Sequence, residues 1–242
     1  MSSVGTVINI ITVLVGGIIG SVLGDRLPAR TRETVMSGLG LMTLVVGLQM
    51  ALSTHNVLIP MVSLLLGAVL GEWLGIEALL QRLGHWFEEH CGAPAEDGRS
   101  VAKAFVTASL VFCIGPMSIL GSVQDGLTGD YHLLAIKAVL DGFAALAFAA
   151  SLGPGVLLSA ISVAVYQGGI TLATLALATT LRGITRETPG VIEMTATGGV
   201  LIMGISLLLL DLRQVRVGNL LPAVVIAPVL VWVLLRTGIG LG

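Results

Sequence analysis

The sequence predicts an all-α, polytopic transmembrane protein of about eight spans, and its composition and segmentation lead to this class. Of its 242 residues, 55% are hydrophobic and 11% are charged, whereas soluble domains have about 25% charged residues. The mean hydropathy is +1.00. Apolar segments of about 20 residues, enough to cross a bilayer as a helix, recur along the whole chain.

The predicted spans follow one another with short polar gaps. They lie at about residues 5–24, 35–53, 57–76, 102–121, 133–151, 154–177, 190–210 and 217–236. None of the gaps is long enough for a soluble domain, so we expect a single transmembrane domain over 1–242. The first segment has neither a basic n-region nor a small-residue cleavage site, which indicates a retained span. Lys and Arg residues in the loops favour an external N-terminus.

The chain also looks duplicated. GTVINIITVLVGGIIG, from Gly5, reads against GVLLSAISVAVYQGGIT, from Gly155, and the TRET of 31–34 recurs at 185–188. These matches predict two three-span repeats, repeat A at about 5–76 and repeat B at about 154–236. They flank a central segment at about 102–152. Two crossings in that segment give eight spans and inverted repeats, an architecture common in secondary transporters; one crossing gives seven spans and parallel repeats.

The central segment contains the most unusual sequence, FCIGPMSILGSVQDGLTGDYHLLAIKAVLDG. Its Gly115-Pro116 step removes an amide donor and interrupts a helix. Broken backbone within a bilayer is tolerated where protein or a water-filled cavity satisfies it. The segment therefore predicts two half-helices or a re-entrant hairpin, with Ser118, Ser122, Gln124 and Asp125 binding a small polar solute or cation. An ordinary polar loop after a kinked span is the alternative.

Lys137 and Asp141 follow at a spacing of four residues, which places them on one helix face. Charges at membrane depth cost a few kcal/mol each and are usually paired and functional. The pair is a candidate for binding substrate or a coupling ion. The alternatives are a self-neutralising structural pair and a lysine that extends to the interface.

Polar residues in other spans complete the candidate site. Asn9 and Ser159 occupy equivalent positions in the two repeats, close to paired glycines that predict either irregular helices or close packing. Gln167 needs partners if it is buried. Glu193 opens the seventh span, where it either complements the helix dipole or contributes to the site.

Several chemistries have no support in the sequence. The HWFEEHC stretch within residues 85–97 lacks metal-ligand spacing and predicts a solvated loop. We find no phosphate-binding glycine loop, nucleophile elbow or cofactor fingerprint. We therefore expect no catalytic residues, metal, cofactor or nucleic-acid partner, and no enzyme.

Five segments resemble those of a known bacterial integral membrane family, called domain of unknown function 554, the YdfK/YqgA-like proteins. They are GTVINIITVLVGGIIG, FCIGPMSILGSVQDGLTGD, KAVLDG, the YQGG that begins at Tyr166, and GNLLP. The resemblance covers nearly the whole chain and implies a small bacterial inner-membrane protein. It implies no mechanism.

The residues themselves favour a membrane transport protein, a secondary carrier with a midplane site at the broken helices. The coupling cation would be Na⁺ or H⁺. An ion channel is one alternative, and a scaffold or sensor partner that does not transport is another. The chain is short for a transporter, so a homo-oligomer in the lipid bilayer is also expected.

Overall fold

The computed structural model describes residues 3–26, 28–90, 100–114, 116–176, 185 and 187–237, and the regular structure in these ranges is helical. The first eight α-helices are α1 (Val4–Arg26), α2 (Ala29–Ala51), α3 (Leu58–Leu74), α4 (Ile76–His90), α5 (Val101–Cys113), α6 (Pro116–Thr128), α7 (His132–Leu152) and α8 (Ser159–Ala176). A 3₁₀ turn, Pro154–Leu158, precedes α8. The last three are α9 (Pro189–Leu209), α10 (Val217–Leu220) and α11 (Pro222–Thr237).

The predicted class of helical membrane protein is confirmed. Within the described residues, six helical segments are long and apolar enough to cross a membrane, and eight if each of two bent pairs counts as one span. The bent pairs are α3 with the start of α4, at 51°, and α5 with α6, at 61°. In the predicted solvated stretch 85–97, the helix continues to His90 and the rest lies outside the described residues.

The chain forms two compact units. Unit 1 comprises Met1–Met36 and Gln81–Gly183, and unit 2 comprises Ser37–Leu80 and Ile184–Gly242. Unit 1 thus contains α1, α5, α6, α7 and α8, whereas unit 2 contains α3, α9, α10, α11 and most of α2. Each unit therefore takes spans from both predicted repeats. The repeats and the single domain stay predictions.

In unit 1, α1 packs tightly against α7. A Cβ placed on Gly16, Gly20 or Gly24 would overlap a backbone carbonyl of α7, and the carbonyls in question belong to Gly142, Leu146 and Ala150. Small residues at every fourth position let two membrane helices approach this closely. The contacts advance in the same direction on both helices, so α1 and α7 run parallel. We call this contact the glycine seam.

The broken pair α5–α6 crosses unit 1 once, alongside α8. The Val101 backbone lies against Gly155, the Ser109 hydroxyl donates to Ser162 at 2.8 Å, and the Thr171 hydroxyl donates to the Ser122 carbonyl at 3.4 Å. Both half-helices therefore advance in one direction along α8. From 155 to 171 this advance covers about 24 Å at 1.5 Å per residue, so the pair is a broken span and not a re-entrant hairpin.

This geometry also favours the eight-span count. Spans alternate in direction, and α2, α3 and the α5–α6 pair lie between α1 and α7 in the chain. Three intervening crossings make α1 and α7 parallel, as observed, whereas two crossings would make them antiparallel.

Unit 2 is held together by glycines and carboxylates. A Cβ on Gly67 would meet Ala223, and one on Gly71 would overlap the Asn219 carbonyl, so these glycines of α3 pack inside the protomer. Gly75 instead ends α3 with φ of 63°, a left-handed conformation that glycine adopts without a steric penalty. At the bend, Glu77 accepts a hydrogen bond from the Gly218 amide at 2.8 Å.

Candidate functional site

At the break between α5 and α6, a side chain provides a hydrogen bond to a backbone carbonyl that the helix leaves unpaired. Gly115 lies outside the described residues, but Ser118 on the first turn of α6 is buried. Its hydroxyl donates to the Phe112 carbonyl at 3.0 Å, a carbonyl that loses its helical partner where α5 ends. The structure thus gives Ser118 a role in closing the break.

Beside this break, four polar side chains form one buried network. Lys137 donates to the Oδ2 atom of Asp141 on the same face of α7. Asn9 Nδ2, on α1, donates to the same Asp141 oxygen at 3.0 Å and to Gln167 Oε1, on α8, at 3.2 Å. All four side chains are buried, with Asn9 and Gln167 fully so. Three predicted spans therefore bring their polar residues together, and we call this set the α7 ion-pair network.

Two amide atoms of the network have no hydrogen-bond partner among the described residues. They are Asn9 Oδ1, an acceptor, and Gln167 Nε2, a donor. Rotating the Asn9 amide would turn its oxygen toward the carboxylate of Asp141, so the ionised pair fixes its orientation. The orientation of Gln167 is then fixed in turn, because its oxygen must face Asn9 Nδ2. A buried polar atom without a partner costs about 1–3 kcal/mol, so these two atoms are available to hydrogen-bond a polar ligand.

A second buried polar group lies nearer the N-terminal end of α1. The Gly5 amide donates to Asp125 Oδ2 at 3.2 Å. The hydroxyls of Thr6 and Ser122 are buried and have no hydrogen-bond partner in the described part of the chain. Thr171 donates to the Ser122 carbonyl, which brings α8 into the same group. We call this set, which comprises Thr6, Ser122, Asp125 and Thr171, the Asp125 cluster.

The two groups follow one another along the helices. Residues 167 and 171 are one turn apart on α8, as are 9 and 5 on α1, so the groups are separated by about 6 Å along the spans. Asn9 is about 8 Å from the start of α1, and Asp141 about 14 Å from the start of α7. The network thus lies between that face and the middle of the spans, somewhat off the predicted midplane.

Two predicted site residues, Gln124 and Ser159, have other positions. Gln124 is exposed on α6, because one residue of helix rotates it about 100° from the buried Asp125. Ser159 is buried and donates to the Val156 carbonyl at 2.6 Å, so it stabilises the change from 3₁₀ turn to α8.

Glu193 belongs to unit 2 and has its own partners there. Its carboxylate accepts hydrogen bonds from the Thr54 hydroxyl at 2.6 Å, the His55 amide at 2.9 Å and the Asn56 amide at 3.3 Å. It is 2% exposed. Glu193 therefore clamps the α2–α3 loop, which sequence reasoning did not foresee.

Sequence reasoning also missed the threonines. Thr171 and Thr174 follow Gln167 at spacings of four and seven residues, which places all three on one face of α8. That spacing was visible in the sequence.

Ser109 and Ser122, on the two sides of the break, contact Ser162 and Thr171 of α8. These α8 residues flank Gln167, which places the break at the level of the network.

The start of α7 is fixed outside the spans. The Asp130 carboxylate accepts from the His132 amide at 3.1 Å and from its ring Nδ1 at 2.8 Å. These two hydrogen bonds hold the pKa of Asp130 below its ordinary value, and the bond from the His132 amide has the larger effect. They anchor the helix that carries Lys137 and Asp141.

Helices of this length and apolarity, with charges buried at a broken span, define a polytopic membrane protein with a polar intramembrane site. The chain belongs to the family described as Protein of unknown function (DUF554), whose model matches residues 4–232.

Two relatives cover almost the full chain. It is 28% identical to the "Uncharacterized membrane protein YdfK" of Bacillus subtilis, over 97% of this chain and 98% of that protein. It is 31% identical to the "Uncharacterized protein YqgA" of Escherichia coli, over 93% of this chain and 94% of that protein. No solved structure matches the chain.

Proposed function

We propose that this protein is a secondary carrier for a small ion or polar solute, and that the α7 ion-pair network is its binding site. The observation that carries the proposal is the convergence of a buried ion pair and two amides with unused hydrogen-bonding atoms beside a broken span. Discontinuous helices and isolated ionisable residues recur at the binding sites of such transporters.

The Asp125 cluster supplies a polar route toward the α7 ion-pair network. It lies about one helical turn nearer the N-terminal end of α1, so a solute entering from that face would meet Asp125, Thr6 and Ser122 before Asn9. In an apolar span, each of these groups lowers the cost of moving a polar solute inward. Asp125 is a second buried carboxylate, outside the Lys137–Asp141 pair, and it is the candidate for binding a coupling cation, H⁺ or Na⁺.

The buried ion pair and its amide partners favour a carrier over a channel. The charges of Lys137 and Asp141 are bonded to each other and lie between packed helices. Such a site must be released by a conformational change, which is the defining step of a carrier. We further propose that the protein lies in the bacterial inner membrane with its N-terminus outside. It would form a homo-oligomer and would not be an enzyme.

The test is transport by the purified protein in liposomes. Vesicles are loaded with a polar metabolite extract, and mass spectrometry follows which compounds leave. We expect wild-type vesicles to release specific compounds, and Asp141→Asn vesicles to release them at the rate of protein-free vesicles while the variant still purifies as a folded protein.

Asp211→Asn is the matched control, because it makes the same chemical change at an exposed carboxylate of unit 2, outside the network. It should transport like the wild type. Equal release by the wild type and Asp141→Asn, or no release above protein-free vesicles, would refute the carrier.

A further inference from the structure

We propose that the α7 ion-pair network binds a small zwitterion, a solute that carries both an ammonium and a carboxylate group. This assignment rests on the proposed carrier function and names its substrate class. The site offers one cation, one anion, one unused donor and one unused acceptor, and a zwitterion complements all four.

The charges favour a ligand of zero net charge. Lys137 and Asp141 are 6% and 8% exposed and neutralise each other. A cation or an anion entering alone would leave one uncompensated charge among buried groups, which is strongly unfavourable. A zwitterion adds one charge of each sign, so its carboxylate can take the place of Asp141 beside Lys137 while its ammonium pairs with Asp141.

The amides favour the same ligand. Gln167 Nε2 is a donor suited to a carboxylate, and Asn9 Oδ1 is an acceptor suited to an ammonium. Asn9 already donates to Asp141, so its oxygen lies on the amide that contacts the anionic end of the pair. Gln167 Nε2 would therefore bind the carboxylate of the ligand, and Asn9 Oδ1 would bind its ammonium group.

The spacing limits the ligand's size. Side chains at i and i+4 of a helix have Cβ atoms about 5–6 Å apart. A solute placed between Lys137 and Asp141 must carry its own charges a few bonds apart, as a small amino acid does. An uncharged polyol would bond to the amides but leave the ion pair intact, so it lacks the charge complementarity.

The experiment measures thermal stability of the detergent-purified protein with six probes at matched ionic strength. The probes are glycine, β-alanine, glycine betaine, methylammonium, acetate and glycerol. Binding to the folded state raises the melting temperature. We expect glycine or β-alanine to raise it in a saturable way. Betaine should act more weakly because it has no N–H to donate to Asn9.

Two variants locate the effect. Gln167→Leu removes the free donor and should weaken amino-acid binding about tenfold, since a missing partner for a charged group costs roughly one power of ten or more in affinity. The double variant Lys137→Met with Asp141→Leu replaces the pair with apolar groups and should abolish the shift. Asp211→Asn, which alters an exposed carboxylate of unit 2, should keep it.

The outcomes separate the two proposals. No shift with either amino acid, or equal shifts with methylammonium, acetate or glycerol, would overturn the zwitterion assignment even if liposomes still release another solute through Asp141. A shift that survives in the double variant would also overturn it. A shift in the wild type that is lost in the double variant, together with no transport, would support the site and refute the carrier.

Discussion

The buried pair formed by Lys137 and Asp141 gives the sharpest quantitative prediction. Removing one member should destabilise the protein far more than removing both. Lys137→Met leaves Asp141 with the Asn9 amide as its hydrogen-bond donor, and Asp141→Leu leaves the Lys137 ammonium buried. The double variant leaves no buried charge and fills the same volume with apolar atoms.

The magnitude follows from the burial of the pair. At an ordinary ion-pair separation of about 3 Å and an effective dielectric of about 20, the attraction between two unit charges is about 5.5 kcal/mol. Breaking such a buried pair costs about 3–5 kcal/mol, whereas replacing it by apolar residues is often neutral or stabilising by about 1–4 kcal/mol. We expect each single variant to lose about 3 kcal/mol or more, and the double variant to stay within about 1 kcal/mol of the wild type.

The assay is reversible unfolding in mixed micelles, titrated with sodium dodecyl sulfate and followed by circular dichroism. A double-mutant cycle then gives the coupling energy between the two positions. Additive losses in the double variant, or single variants as stable as the wild type, would show that the two side chains are not a buried pair.

Three further predictions follow from the fold. Gly16→Leu should destabilise the protein by about 1–3 kcal/mol because it overpacks the glycine seam, whereas Gly38→Ala, whose Cβ meets no atom within 4 Å, should unfold like the wild type. Glu193→Ala should speed hydrogen exchange of the loop amides that this carboxylate binds, and unchanged exchange would contradict the clamp. In a background without native cysteines, cysteines at Ser100 and Asp130 should react with impermeant reagents from opposite faces of the membrane; labelling from one face would show that the broken span turns back.

The sequence predicted well what depends on local spacing. The helical break at Gly115-Pro116 and the pairing of Lys137 with Asp141 follow from a proline and from a separation of four residues. Each requires only the geometry of one helix, so no knowledge of the tertiary fold was needed.

The sequence predicted that polar residues from distant spans share one cavity, but it did not predict which of them contact each other. Asn9 bonds to residues 132 and 158 positions away, and no spacing rule reaches that far. The phase of a helix is equally hidden in an apolar chain, because lipid-facing and protein-facing positions are both hydrophobic. Gln124 was therefore grouped with Asp125, although the two side chains point in different directions, and Glu193 was assigned to the site although it holds a loop.

The off-centre level of the α7 ion-pair network has an electrical consequence. Its residues lie about one third of the way along the spans from the N-terminal ends of α1 and α7. A membrane potential acts on an ion at about 2.3 kcal/mol per elementary charge per 100 mV. A single positive charge moved from that face to this level would thus cross about a third of the potential, or about 0.8 kcal/mol, and about 1.5 kcal/mol would remain for its release on the other side. A neutral zwitterion would feel neither step, so voltage would act on the coupling ion and leave substrate binding unchanged.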